Sequence, residues 1–252
     1  MKQGFVKVAS ATPRIRVADP VYNAQVICEQ AKEAAEHGAK IVVFPELCIT
    51  GYTCNDLFLQ ELLLEKAKEA LLTIAEETGQ LETLFLVGLP VDKDGRLYNV
   101  AAVLYRGRIL GMIPKKNIPM YAEFYEGRHF TPGEETVTEY RLGKQVIPFG
   151  SNLLFRCEEL PELILGCELC EDLWVAEPPS TSHALMGATV IANLSASNET
   201  VSKDDYRTLL IKASSARLLC GYIYTSAGEG ESTQDLVFGG HDLIAENGTL
   251  LV

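Results

Sequence analysis

Three residues of this sequence pair a reactive side chain with a position directly after an apolar run. Glu46 follows Ile41-Val42-Val43-Phe44-Pro45, Lys115 follows Ile113-Pro114, and Cys170 closes the run that begins at Leu163. Strand ends are where α/β folds usually place their ligands. A carboxylate buried at such an end gains proton affinity and suits a general base. A lysine held between Pro114 and Pro119 can turn its ammonium inward to stabilise a developing oxyanion. A cysteine at a strand end, beside Glu171, Asp172 and the only tryptophan, Trp174, is a candidate nucleophile.

Each of the three also has a plainer reading. Glu46 fits an exposed loop at a sheet edge, and the adjacent Lys115 and Lys116 fit a solvated turn. Cys167 and Cys170 form a Cys-x-x-Cys pair, a pattern used by zinc and redox sites. A structural zinc needs two further ligands at similar spacing, and Cys157, His183 and Cys220 do not form such a pair. A redox pair opens a helix, whereas Cys167 falls inside a strand. Two core cysteines would be ordinary, which suits Cys167 but not Cys170 among its acids. Other chemistries lack their motifs. There is no Gly-x-Ser-x-Gly, and His37, His129, His183 and His241 have no partner motif. His37, at a helix end before Gly38, is explained by a dipole contact. No Walker A or dinucleotide fingerprint occurs, and Gly228-Glu229-Gly230 is too short and acidic to cradle phosphate.

The elements that must position these residues follow from periodicity. Val6 to Ser10 reads as a strand, and 23–36 as a helix stopped by Gly38. Ile41 to Phe44 reads as a strand buried on both faces. The pattern predicts an amphipathic helix over 56–78, a strand over 84–87, and a hairpin of 100–105 with 109–113. Further strands fit 152–156, 163–167, 189–193 and 222–226, and helices fit 182–187 and 204–219. Residues 242–252 fold back through Glu246-Asn247-Gly248. Residues 127–145, rich in Gly, Glu and Thr, read as a surface loop near the site. The order is that of an α/β protein with mixed sheets and helices outside. No repeat or linker divides residues 1–252, so one domain is expected. The last residues read as a strand with no closing helix, which suggests a fragment of a longer protein.

Composition narrows the partners. The chain has 252 residues, 47% hydrophobic and 22% charged, and a formal charge of -12. That charge and the lack of basic runs argue against nucleic acid or an anionic membrane surface. The apolar runs are too short to span a bilayer, and the N-terminus does not read as a signal peptide. Seven scattered cysteines fit reduced thiols in a cytoplasmic protein.

A strand-ending Pro-Glu, a Lys-x-x-Ile-Pro and a strand-ending Cys-Glu-Asp, in this order, resemble the nitrilase (carbon-nitrogen hydrolase) superfamily over almost the whole chain. The finer resemblance is to the glutaminase domain of glutamine-dependent NAD synthetases. It is carried by Glu46 to Tyr52 with Asp56-Leu57-Phe58, by Tyr121 to Glu126, by Cys170 to Trp174 with Pro178-Pro179-Ser180, and by Asn193 to Ser197. The resemblance implies a four-layer α-β-β-α sandwich that forms homo-oligomers. It implies that Cys170 attacks the side-chain amide of L-glutamine, that Glu46 is the base, and that Lys115 and the N–H after Cys170 hold the oxyanion. Glu126 resembles a second acid of the site. Tyr52, Tyr121, Phe124, Glu171 and Ser197 fall where the family lines its glutamine pocket. Lys203 falls near an expected arginine, keeping the charge but losing the bidentate fork. The amidase reaction needs no cofactor in this family. ATP and Mg belong to a C-terminal synthetase domain whose Ser-Gly-Gly-x-Asp-Ser loop this sequence lacks. A stand-alone amidase for another small amide or carbamoyl compound is the alternative within the superfamily. A zinc-binding scaffold with a dead site is the alternative outside it.

Overall fold

The computed structural model describes residues 4–252. Met1 to Gln3 lie outside the described residues. The chain runs β1 (Val8–Ser10), α1 (Pro20–Glu36), β2 (Ile41–Val43), α2 (Glu61–Glu77), β3 (Leu84–Lys93), β4 (Arg96–Tyr105) and β5 (Arg108–Pro114). It continues with β6 (Thr138–Leu142), β7 (Gln145–Phe149), β8 (Phe155–Arg156), β9 (Ile164–Leu169), α3 (Pro179–Leu185) and β10 (Val190–Ser195). The last elements are α4 (Lys203–Leu218), β11 (Gly221–Ser226), β12 (Leu243–Glu246) and β13 (Thr249–Leu250). Helix α1 starts three residues earlier than its pattern suggests. Pro20 needs no hydrogen-bond partner in a first turn, and the Asp19 side chain accepts the Tyr22 N–H at 3.1 Å.

Two sheets result, with strand orders β1-β2-β3-β4-β5-β7-β6 and β13-β12-β11-β10-β9-β8. Neighbours are parallel within β1-β2-β3 and within β9-β10-β11, and β3-β4-β5 is an antiparallel meander. The period of two along each strand decides the layers. Ile41, Val43, Leu86, Ala101 and Val103 face Leu165, Cys167, Leu169, Ala192, Leu194 and Ile223 across the middle of the sandwich. The alternate residues Val42, Phe85, Val87 and Ala102 pack under α1 and α2, through Ile27, Ala31, Leu71 and Ile74. On the other side Ile191, Tyr222 and Tyr224 pack with Ile211 of α4. The layers are therefore α-β-β-α, as the resemblance implied.

Local expectations differ from this in four places. The helix over 56–78 is broken: residues 52–59 form a 3-10 turn containing Asn55 at φ +49°, and α2 starts only at Glu61. Strand β3 runs on to Lys93 and turns through Asp94-Gly95 into β4, because Pro90 interrupts neither face of a run that stays buried through Val91. Residues 127–145 are not one surface loop: Thr138–Leu142 pairs with Gln145–Phe149 at the outer edge of the larger sheet. The strand over 152–156 shrinks to Phe155–Arg156.

Candidate active site

The C-terminal ends of β2, β5, β9 and β10 come together at one edge of the sandwich, and the backbone there is bent sharply. Cys170 opens a short 3-10 turn at φ +40°, and Leu47, directly after Glu46, stands at φ +52°. Left-handed backbone costs a residue with a Cβ about 1–3 kcal/mol, so neighbouring groups must enforce it. Asp172 does so for the cysteine turn. One carboxylate oxygen accepts the Leu169 N–H at 3.0 Å, and the other accepts the backbone and side-chain N–H of Asn117, both at 2.8 Å. The same aspartate thereby ties the Lys115 loop to the cysteine. The Glu46 turn presses on β3 at Gly88, where a Cβ would lie 2.2 Å from the Leu47 nitrogen, so only glycine fits.

Glu46 and Lys115 are completely buried, and Glu126 nearly so. The Lys115 Nζ donates to Glu46 Oε1 at 2.7 Å and to Glu126 Oε1 at 2.6 Å. Asn99 Nδ2 donates to Glu46 Oε1 at 2.6 Å and reaches Glu126 Oε2 at 3.4 Å. Tyr52 adds its hydroxyl to Glu126 Oε1 at 2.9 Å. Glu46 Oε2 is left with one donor, the Ala196 N–H at 2.9 Å, and that N–H also faces the Cys170 sulfur. A buried charge survives only when paired and hydrogen-bonded, and this cluster supplies both.

The electrostatics divide the roles. Burial, reinforced by Glu46, pushes the Cys170 thiol up to about 12, against the pull of Lys115. Burial also works against the charge on Lys115, but Glu126, Glu46 and Cys170 outweigh it and hold the ammonium well above the ordinary lysine range. Glu126 rises to about 7 through burial and the nearby Glu46, with Lys115 opposing. The thiol is thus protonated at neutral pH beside a permanent cation, so nucleophilic attack there requires a base.

The expected pocket residues fall around this centre. Tyr121, on the exposed rim, donates to both oxygens of Glu171 at 3.1 and 3.0 Å. The Lys203 Nζ lies 5.6 Å from the centre of Phe124 and 5.3 Å from that of Trp174, and donates to Asn198 Oδ1. Burial lowers its pKa, and the Cys170 sulfur is the largest influence opposing that. Ser197 lies one layer back: its hydroxyl accepts from the buried Arg207 at 3.3 Å.

The sequence pattern of the carbon-nitrogen hydrolase family matches residues 7–251. The chain belongs to the carbon-nitrogen hydrolase family. This hydrolase is 43% identical over 250 residues to a glutamine-dependent NAD(+) synthetase of Mycobacterium tuberculosis, a match covering 99% of the chain but only 37% of that relative. A crystal structure of a glutamine-dependent NAD(+) synthetase from Cytophaga hutchinsonii superposes with a TM-score of 0.88 at 29% identity, over 98% of this chain and 40% of that one. An amidase from Nesterenkonia sp. shares the fold, with a TM-score of 0.76 at 21% identity over 100% of this chain and 86% of its own. The chain therefore spans well under half the length of the NAD synthetases it matches.

Several residues of the hydrolase site escaped the sequence reading. Asn99 carried a signal, a lone amide leading the run Val100 to Tyr105, but alternation alone does not tell which face it occupies. Asp172 stood in the cysteine motif without a role. Arg207 had none of these signals, since one arginine in a polar helix reads as solvated. Its guanidinium is completely buried against Glu199, His241 and Ser197.

Proposed function

We propose that this chain hydrolyses the side-chain amide of L-glutamine through a Cys170 thioester and supplies the ammonia to a synthetase domain outside this sequence. The observation that carries the reading is Lys203. It is a half-buried cation over Phe124 and Trp174, within the electrostatic reach of Cys170, with the carboxylates of Glu123 and Glu199 also in its reach. An amide substrate with its own carboxylate suits that cation. The similarity to glutamine-dependent NAD synthetases over 99% of the chain supports the same choice.

The thiol proton passes to Glu46 Oε2, which accepts a single N–H and has a lone pair free, as sulfur attacks the amide carbon. Lys115 and the Glu171 N–H, one of the unpaired groups at the start of the turn, hold the oxyanion. Collapse breaks the C–N bond, and ammonia leaves with the proton from Glu46. Glu46 then takes a proton from water, whose oxygen attacks the thioester, and glutamate leaves as the thiol is restored. Glu126 keeps Lys115 charged and in place. None of these steps calls for a cofactor. ATP and Mg would serve the amidation of deamido-NAD, which is the synthetase domain's part. A homo-oligomer in the cytoplasm is the setting this reading implies.

Labelling with an electrophilic glutamine analogue, followed by peptide mass spectrometry with Cys170→Ala as control, tests the proposal. Stoichiometric modification of Cys170 that glutamine prevents is the expected result. A Cys170 that ignores the analogue yet reacts with a small alkylator would shift the assignment to another small amide or carbamoyl compound.

A further inference from the structure

Asn99 sits on β4 between the two carboxylates of the site, completely buried, and its Nδ2 is shared unequally between them. The bond to Glu46 Oε1 is 2.6 Å, whereas the approach to Glu126 Oε2 is 3.4 Å. Its Oδ1 has no hydrogen-bond partner although it is shut away from solvent. A buried acceptor without a donor is a liability for folding. The amide thus leaves its own oxygen unpaired while its nitrogen donates to a buried carboxylate. Lys115 does not distinguish the carboxylates, because its bonds to them are 2.7 and 2.6 Å. Tyr52 bonds Glu126 alone, and the Ala196 N–H bonds Glu46 alone. Cys170 and Glu171 are the remaining titratable groups facing the pair.

We infer that Asn99 is a positioning residue that selects Glu46 over Glu126 as the general base. The short donation stabilises negative charge on Glu46 Oε1, and Glu126, whose proton affinity burial raises, has no equal bond from this amide. The same bond fixes the carboxylate plane and leaves Oε2 aimed at the Cys170 side. This inference rests on the proposed amidase chemistry.

The test measures the pH dependence of Cys170 alkylation by iodoacetamide, which needs no substrate, beside glutamine turnover and thermal melting. The variants are Asn99→Asp, close to asparagine in volume, and Asn99→Leu, of the same branched outline but larger. For Asn99→Leu the expectation is a lower melting temperature, since Glu46 loses a donor and the core gains volume, and a fall in turnover that deepens as pH drops, with KM little altered. The acidic limb of the alkylation profile should move up by about one pH unit, a tenfold change in proton affinity. Asn99→Asp should move the limb further in the same direction, because it adds a third acid. If Asn99→Leu does not fold, Asn99→Ala, which removes the donor without adding charge or volume, takes its place with the same expected shift. A folded variant whose alkylation limb stays at the wild-type pH would overturn the selection of Glu46. Normal glutamine turnover in Cys170→Ala would instead remove the amidase reading itself.

Discussion

Two charge clusters stand two residues apart on the same turn and behave oppositely. Lys115 lies between Glu46 and Glu126 at 2.7 and 2.6 Å with all three side chains essentially out of solvent. Arg128 grips Asp56 through two bonds of 2.7 and 2.8 Å, and each of those side chains is about 60% exposed. The distances are alike, so geometry does not separate them. Water does: it screens the outer pair and replaces either partner when one is lost, whereas the inner charges have only each other. Arg128 and its neighbour His129 hold Asp56 well below the usual carboxylate range, yet that pair stays a surface contact. The inner cluster has the energies needed for chemistry.

Breaking the inner cluster should have the largest effect. Lys115→Met leaves two buried carboxylates facing each other, and should cost about 3–5 kcal/mol in urea denaturation along with all amide hydrolysis. Next comes Asp172→Ala, which strands the donors of Leu169 and Asn117. We expect a loss of about 1–3 kcal/mol, with Cys170 alkylated at a changed rate because the turn at φ +40° is no longer held.

A pH series sharpens the comparison further. Glu126 has a folded pKa of about 7 against an ordinary 4.5, so the unfolded chain releases this proton first. Its contribution to stability is complete below about 4.5 and is lost as pH climbs to about 7. Glu126→Gln should therefore show a melting temperature that falls less than wild type over that window. Some slope will persist, since burial also raises Glu168 to about 7. The smallest effect belongs to the outer cluster. Asp56→Asn should leave the urea midpoint within measurement scatter at physiological salt, and a clear loss there would show that the exposed pair holds the Glu126 turn.

Much of the fold was legible because many strands stand out as short apolar runs bounded by turn residues. Ile41 to Val43 and Leu84 to Val87 were visible as buried runs, and the Asn-Gly turn at 247–248 was visible from its dipeptide. The 3-10 segment 52–59 was not, because its Leu57, Phe58 and Leu59 continue the helical apolar spacing although Asn55 breaks the helix at positive φ. Within the site, Glu46, Lys115 and Cys170 were legible as strand-end residues. Asn99 was marked only as a lone amide at the head of an apolar run, with no sign of its face, and a main-chain N–H at Ala196 and one arginine, Arg207, in a polar helix leave no mark in the order of residues.

The sequence by itself determined which side chains could react and that strands would carry them to an edge. Alternation and turn chemistry are local, so they survive in the linear order. What only the tertiary structure decided is which residues meet: Glu46, Asn99, Lys115, Glu126 and Cys170 come from five separate segments spread over more than a hundred residues. Their proton affinities depend on burial and on charges across those segments. A thiol near 12 beside a buried ammonium is a property of that enclosure and of neither residue alone.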